Sequence, residues 1–191
     1  YFYKNHALQR GGAIYLNGKF NGDASSSYRN CQFISNSAAA GGAVFEDGGS
    51  TDGHGLFWKD CLFKDNYAES FGGAVHFEHT NAVYDTKIHD SRFENNVSLD
   101  GGAISATLFN SPQLEFDNCD FVDNETVVNG VGAAIFLVNY DYRGGLLIKD
   151  SYFSGNYLPG QYDEGSAILA IGPPGDVPIN ASKSINITNC I

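Results

Sequence analysis

Apolar and polar residues alternate along this chain in short bursts, and the bursts return at spacings near thirty residues. Leu56 and Trp58, Leu114 and Phe116, Leu146 and Ile148, and Ile185 and Ile187 are apolar pairs two residues apart. The first three are followed by a second short run carrying one phenylalanine, and that column along the chain reads Phe2, Phe33, Phe63, Phe93, Phe121, Phe153. A third apolar run follows a glycine corner, as in Gly11-Gly12-Ala13-Ile14, Gly41-Gly42-Ala43-Val44, Gly72-Gly73-Ala74-Val75 and Gly101-Gly102-Ala103-Ile104. Period-two alternation over three to five residues marks half-buried strands, and no segment is long or periodic enough for a helix. The pattern predicts three short strands per repeat, stacked on the same three strands of the next.

Polar columns keep the same phase. Asn30, Asp60, Asp90, Asn118, Asp150 and Asn189 precede the phenylalanine run, and Asn and Asp are the residues that tolerate left-handed backbone at a bend. Asn5, Asn36, Asn66, Asn96, Asn124 and Asn156 follow it; stacked amides of this kind pass hydrogen bonds along an axis. Cys31, Cys61, Cys119 and Cys190 share one column with Ser91 and Ser151. This reads as a small buried ladder of free thiols rather than a disulfide framework, because parallel Cβ vectors on stacked turns suit a disulfide poorly; Cys31 and Cys61, on adjacent turns, are the one pair close enough to bridge. Together these columns predict an all-β chain: a right-handed, single-stranded parallel β-helix of about six turns of roughly 30 residues. Residues 1–191 read as a single β-helix domain, part of a longer chain or of a stacked assembly. Length variation falls after the third strand, in Gly18 to Ser25, Gly48 to Gly55, His79 to Tyr84, Asn139 to Gly144 and Gly172 to Ser184, which are expected along one edge.

The paired motifs F-x-x-N and G-G-A-[ILV] resemble the repeat of the polymorphic outer-membrane proteins of chlamydiae and of related surface proteins. Phe33/Asn36 with Gly41 to Val44, Phe63/Asn66 with Gly72 to Val75, and Phe93/Asn96 with Gly101 to Ile104 carry the resemblance, while Gly132-Ala133-Ala134 and Gly165-Ser166-Ala167 are degenerate forms. The resemblance implies an extracellular or cell-surface β-helical shaft, adhesive or structural, without catalysis and without a cofactor.

Composition narrows the partners. A formal net charge of −11 and a pI near 4.6 disfavour nucleic acid and anionic membrane. No stretch approaches the roughly 18 apolar residues that span a bilayer. With 42% hydrophobic residues and fourteen phenylalanines, the chain has the apolar surface for a core.

The best constellation for chemistry comes from stacking the third strands. Asp47, Glu78, His76 and His79 are then expected to approach one another on adjacent turns, as an acid–base set on a polysaccharide (Asp47, His76 and Glu78) or as a solvated outer face. Acidic loop residues such as Asp23 and Asp52 offer a weaker calcium reading. Neither argues for an enzyme or a resident metal over the shaft. If Ile14, Val44, Val75, Ile104, Ile135 and Ile168 point inward, then Tyr15, Phe45, Phe136 and Leu169 form an exposed lateral face, unless loops cover that side too. Four N-x-[ST] sequons occur. Asn96 and Asn124 belong to the inward ladder, which leaves Asn180 and Asn186 as glycosylation candidates. Both ends of the chain meet the repeat at nearly one phase, so copies stacked end to end are the expected partners, with host or matrix glycans or proteins beside them.

Overall fold

The computed structural model describes residues 1–17, 26–48, 56–80, 85–109, 113–140, 145–160, 167–172 and 186–191. All the regular structure in them is β, and every strand pairing is parallel. The strands wind as a solenoid of about five turns of roughly 30 residues. Most of the loop edge expected from the sequence lies outside the described residues, including Asp23 and Asp52.

Each of the four inner turns contains four strands, not the three predicted. In one turn these are Leu56–Lys59, Leu62–Lys64, Tyr67–Phe71 and Val75–Thr80. The first, second and fourth strands each build a six-stranded sheet; the third strands build a four-stranded one. The missed strand buries only one small side chain per turn, namely Ala38, Ala68, Ser98 or Thr126. With no large apolar residue at alternate positions it has no strand periodicity to read.

Three left-handed corners separate the four strands. The first is the Asx column, where Asn30, Asp60, Asp90, Asn118, Asp150 and Asn189 all have φ between 46° and 54°. The second precedes the inward asparagine and is held by Lys4, Ser35, Asp65, Asn95, Asp123 and Gly155. The third is the first glycine of each pair, for example Gly72 at φ 61°. The second glycine has a different reason. A Cβ on Gly73 would lie 2.1 Å from the carbonyl oxygen of Gly102 on the next turn, so stacking itself excludes a side chain there.

The interior is a set of axial ladders. Phe33, Phe63, Phe93, Phe121 and Phe153 stack nearly parallel with ring centroids 4.8 to 4.9 Å apart, and Phe2 caps the column 4.7 Å from Phe33. That spacing is the strand separation of a sheet, so each ring sits directly over the next. Beside it, Asn36, Asn66, Asn96 and Asn124 are fully buried. Asn96 shows the pattern: its Nδ2 donates to Asn124 Oδ1 on the next turn at 3.0 Å and to Phe63 O at 2.9 Å, while its Oδ1 accepts from both the backbone N–H and Nδ2 of Asn66. The same amide link runs from Asn5 to Asn156. A buried amide needs all its partners, and this column supplies them to each side chain from the rungs above and below. All four cysteines are free, and the backbone N–H groups of Cys61 and Cys119 donate to the Ser91 and Ser151 hydroxyls of the same column, each at 3.1 Å.

Candidate functional site

The fourth sheet has one face in the core and one outside. Val44, Val75, Ile104 and Ile135 point inward and are buried. The outward column is Tyr15, Phe45, His76, Ser105, Phe136 and Leu169, followed two residues on by Asn17, Asp47, Glu78, Thr107, Val138 and Ile171. This outer face meets the third sheet at a concave corner. There it forms a groove of about 640 Å³.

The exposed aromatic stripe expected from the sequence is not present in that form. Tyr15 is 45% exposed, but Phe45 is only 2% exposed, and Phe136 and Leu169 are half-buried. His76 and Ser105 interrupt the column and are themselves buried. The cover over Phe45 comes from the third strand's neighbourhood: the Arg10 guanidinium lies 4.7 Å from its ring. Phe45 and Phe136 therefore line the groove rather than forming a flat docking face, and Tyr15 stays exposed outside it.

Asp47 and Glu78 are register partners on adjacent turns. Arg10 bridges them, with Nη1 3.7 Å from Asp47 Oδ2 and Nη2 3.9 Å from Glu78 Oε2. Tyr15 also donates its hydroxyl to Asp47 Oδ2 at 3.0 Å. His76 lies between two rings, 5.0 Å from Phe45 and 5.5 Å from Phe71. Burial, with smaller contributions from the charges of His79 and Arg10, pushes its pKa down to about 3, so the imidazole is neutral. Its Nδ1 is buried without a hydrogen-bond partner. Such a group costs free energy where it stands.

His79 does not join this set. Period two puts residues 76 and 78 outside and residues 77 and 79 inside. His79 Nε2 instead lies 3.1 Å from Glu46 Oε1 in the interior, with both side chains buried. Glu46 occupies the core phase of Leu16 and Phe77, a polar residue at an apolar position, and that was the available signal. Arg10 carries no such signal, because the third-strand stretch it belongs to lacks apolar alternation.

On the first sheet, His89, Glu115 and Asp117 bring ligand atoms within 4.8 Å of one another. Lysines already hold Glu115, with Lys149 at 2.9 Å and Lys87 at 3.6 Å, and two ammonium groups beside a carboxylate oppose a cation. The sequons separate by burial: Asn96 and Asn124 are buried in the amide ladder and Asn186 is exposed, while Asn180 lies outside the described residues.

Fold and groove thus describe an elongated parallel β-solenoid with one lateral recess. The Chlamydia polymorphic membrane protein repeat matches residues 1–17 and 90–107. Those stretches contain Phe2, Asn5 and Gly11 to Ile14, and Phe93, Asn96 and Gly101 to Ile104, which form rungs of the phenylalanine and asparagine ladders. No curated protein and no solved structure matches the chain. Among the described residues, no helix is long and apolar enough to cross a membrane.

Proposed function

We propose that this chain is a non-enzymatic β-helical shaft at the cell surface or outside the cell, with a structural or adhesive role. The uninterrupted axial ladder carries this reading. From Asn5 to Asn156 every side-chain amide of the column is bonded to the next, and from Phe2 to Phe153 every ring is stacked on the next. Interactions repeated on one axis make a rod stiff along it, and each turn depends on its neighbours. The matched repeat supports the location, since it belongs to a family of membrane proteins and not to an enzyme family.

The reading extends to assembly of copies end to end. The second-sheet strands stack in one phase from Phe2–Tyr3 to Tyr152–Ser154, and Phe153 N–H donates onward to Ile191 O at 2.8 Å; the N–H and C=O groups of such a strand are a template for a like strand. A rung in the same phase would continue both ladders. An acid–base role for Asp47, His76 and Glu78 has less in its favour, because Arg10 engages both carboxylates and the imidazole is held neutral and buried between aromatic rings.

Negative-stain electron microscopy of the native protein tests the shaft. Rods far longer than the roughly 30 Å that six rungs supply are expected. Short, monodisperse particles at all concentrations would overturn end-to-end assembly.

A further inference from the structure

We propose that the groove between the third and fourth sheets binds a neutral oligosaccharide, lying along the solenoid axis. This rests on the adhesive side of the function proposed above and names its ligand.

Three observations point to a ligand and to its chemistry. The first is His76. Its side chain is 5% exposed and lines the groove, yet its buried Nδ1 has no partner within the protein. A neutral imidazole offers one donor and one acceptor, which suits the hydroxyl of a sugar better than an ion. The groove floor continues from His76 into the Ser105 hydroxyl on the next turn, and Thr107 lies beside Glu78 in the next outward column.

The second is the placement of rings. Half-buried Phe136 stands at one end of this polar floor, and Phe45, three turns away or about 14 Å at the spacing of stacked strands, closes the other end beneath the Arg10 guanidinium. Phe71 and Tyr140 rise from the rim and are exposed. Apolar ring faces carry negative charge density and favour the C–H faces of a pyranose. Accessible rings at the rim (Phe71, Tyr140) and at one end (Phe136), beside a floor of hydroxyl-binding groups, match a linear chain of a few sugar rings. The volume of about 640 Å³ falls within the usual range for small-ligand sites.

The third is charge. Among the groove's lining residues the charged side chains are Arg10 and Glu78, which oppose each other at 3.9 Å. The lining therefore has no surplus of either sign. The protein as a whole carries −11, which repels an anionic polysaccharide. A neutral chain meets neither penalty, and Arg10, Glu78 and Tyr140 remain at the rim as donors and acceptors for hydroxyls.

The test is a titration of the full chain, labelled with ¹⁵N at histidine, against separate neutral tetrasaccharides: α- and β-linked glucose, galactose, mannose and N-acetylglucosamine. An uncharged extended hexapeptide serves as the competing ligand class. His76→Asn assigns the His76 resonance. At least one tetrasaccharide is expected to shift the His76 Nδ1 signal saturably in the millimolar range or below. Tyr140→Ala and Phe71→Ala, which truncate exposed rings and leave the core intact, are expected to weaken binding about tenfold each.

The proposal is overturned if no tetrasaccharide moves the His76 signal. It is equally overturned if the hexapeptide moves it and no sugar does, or if sugar binds with unchanged affinity in both ring variants. Rod formation in the microscope does not depend on any of these results, so loss of sugar binding with intact rods refutes the ligand and leaves the shaft standing.

Discussion

Replacing Asn96 with alanine removes one rung of the amide ladder at its centre. The side chain makes four hydrogen bonds in a fully buried setting: it accepts from Asn66 N at 3.1 Å and Asn66 Nδ2 at 2.9 Å, and donates to Phe63 O at 2.9 Å and Asn124 Oδ1 at 3.0 Å. Alanine deletes all four. The backbone N–H of residue 96 keeps Asn124 Oδ1 at 3.1 Å, and Asn66 Nδ2 keeps Phe33 O at 2.9 Å. The Asn66 N–H is the group stranded without another acceptor.

Each lost bond is worth about 1 kcal/mol net, and a stranded buried donor adds its desolvation cost, about 1–3 kcal/mol. The total is about 5–7 kcal/mol. For a chain of this size that lowers Tm by roughly 10–28 °C, at about 2–4 °C per kcal/mol. Urea titration followed by far-UV circular dichroism measures it directly. A loss below about 1 kcal/mol would refute the reasoning, because that is the scale of a single bond to a solvated group. Asn96→Asp separates hydrogen bonding from volume: it keeps the acceptor, loses the donors and buries a charge. Burial raises the folded carboxyl's pKa above its unfolded value. N96D should therefore be weakest at neutral pH and regain stability as pH falls through that raised value.

Other groups give independent checks. Burial works against the Glu115 carboxylate, but the hydrogen bond from Lys149 and the charges of Lys149, Lys87 and His89 outweigh it and hold its pKa below the ordinary value. Its contribution is present above the unfolded pKa of about 4.3 and lost as pH falls through the lower folded one, so Glu115→Gln should flatten the acid limb of a stability–pH curve; an unchanged limb would remove the linkage. Burial pushes the Cys61 thiol up to about 11 and Cys119 to about 12, so a disulfide reagent at pH 8 should label the half-buried Cys31 and Cys190 and reach the other two only on unfolding. Passed through a eukaryotic secretory pathway, the protein should carry sugar at Asn180 and Asn186, and intact-glycopeptide mass spectrometry finding sugar on Asn96 would contradict the buried ladder.

Much of this architecture is legible in the residues because each turn repeats the same constraint. A column of six Asx residues stands at one left-handed corner, and phenylalanine at a fixed phase marks the stacked core. What escaped has a physical reason in each case. The third strand turns on alanine, serine and threonine, whose small side chains leave no apolar alternation. The second left-handed corner admits Lys4 and Ser35 beside Asp65 and Asn95, so no residue type announces it. The groove depends on two sheets meeting, and one of them was unread; hence Arg10, Phe71 and the seclusion of His76 were invisible, and Asp47 and Glu78 looked unengaged. Glu46 is legible as a polar residue in a core phase, and period two from Phe77 puts its partner His79 on the same inward face, apart from Asp47, His76 and Glu78.

The measurement that bears most directly on the central account is the axial rise per turn in solution. Gln32 and Tyr152 are exposed residues of the second sheet, separated by four register steps. Spin labels can be placed there in a background with the four cysteines changed to serine, a residue the same column already holds at Ser91 and Ser151. At about 4.8 Å per step the backbones should stand about 19 Å apart, and double electron–electron resonance should give one narrow distribution near that value, widened only by the label arms. A broad distribution, or a distance beyond about 35 Å, which parallel strands at that spacing do not allow, would contradict the stacked solenoid and the shaft built on it.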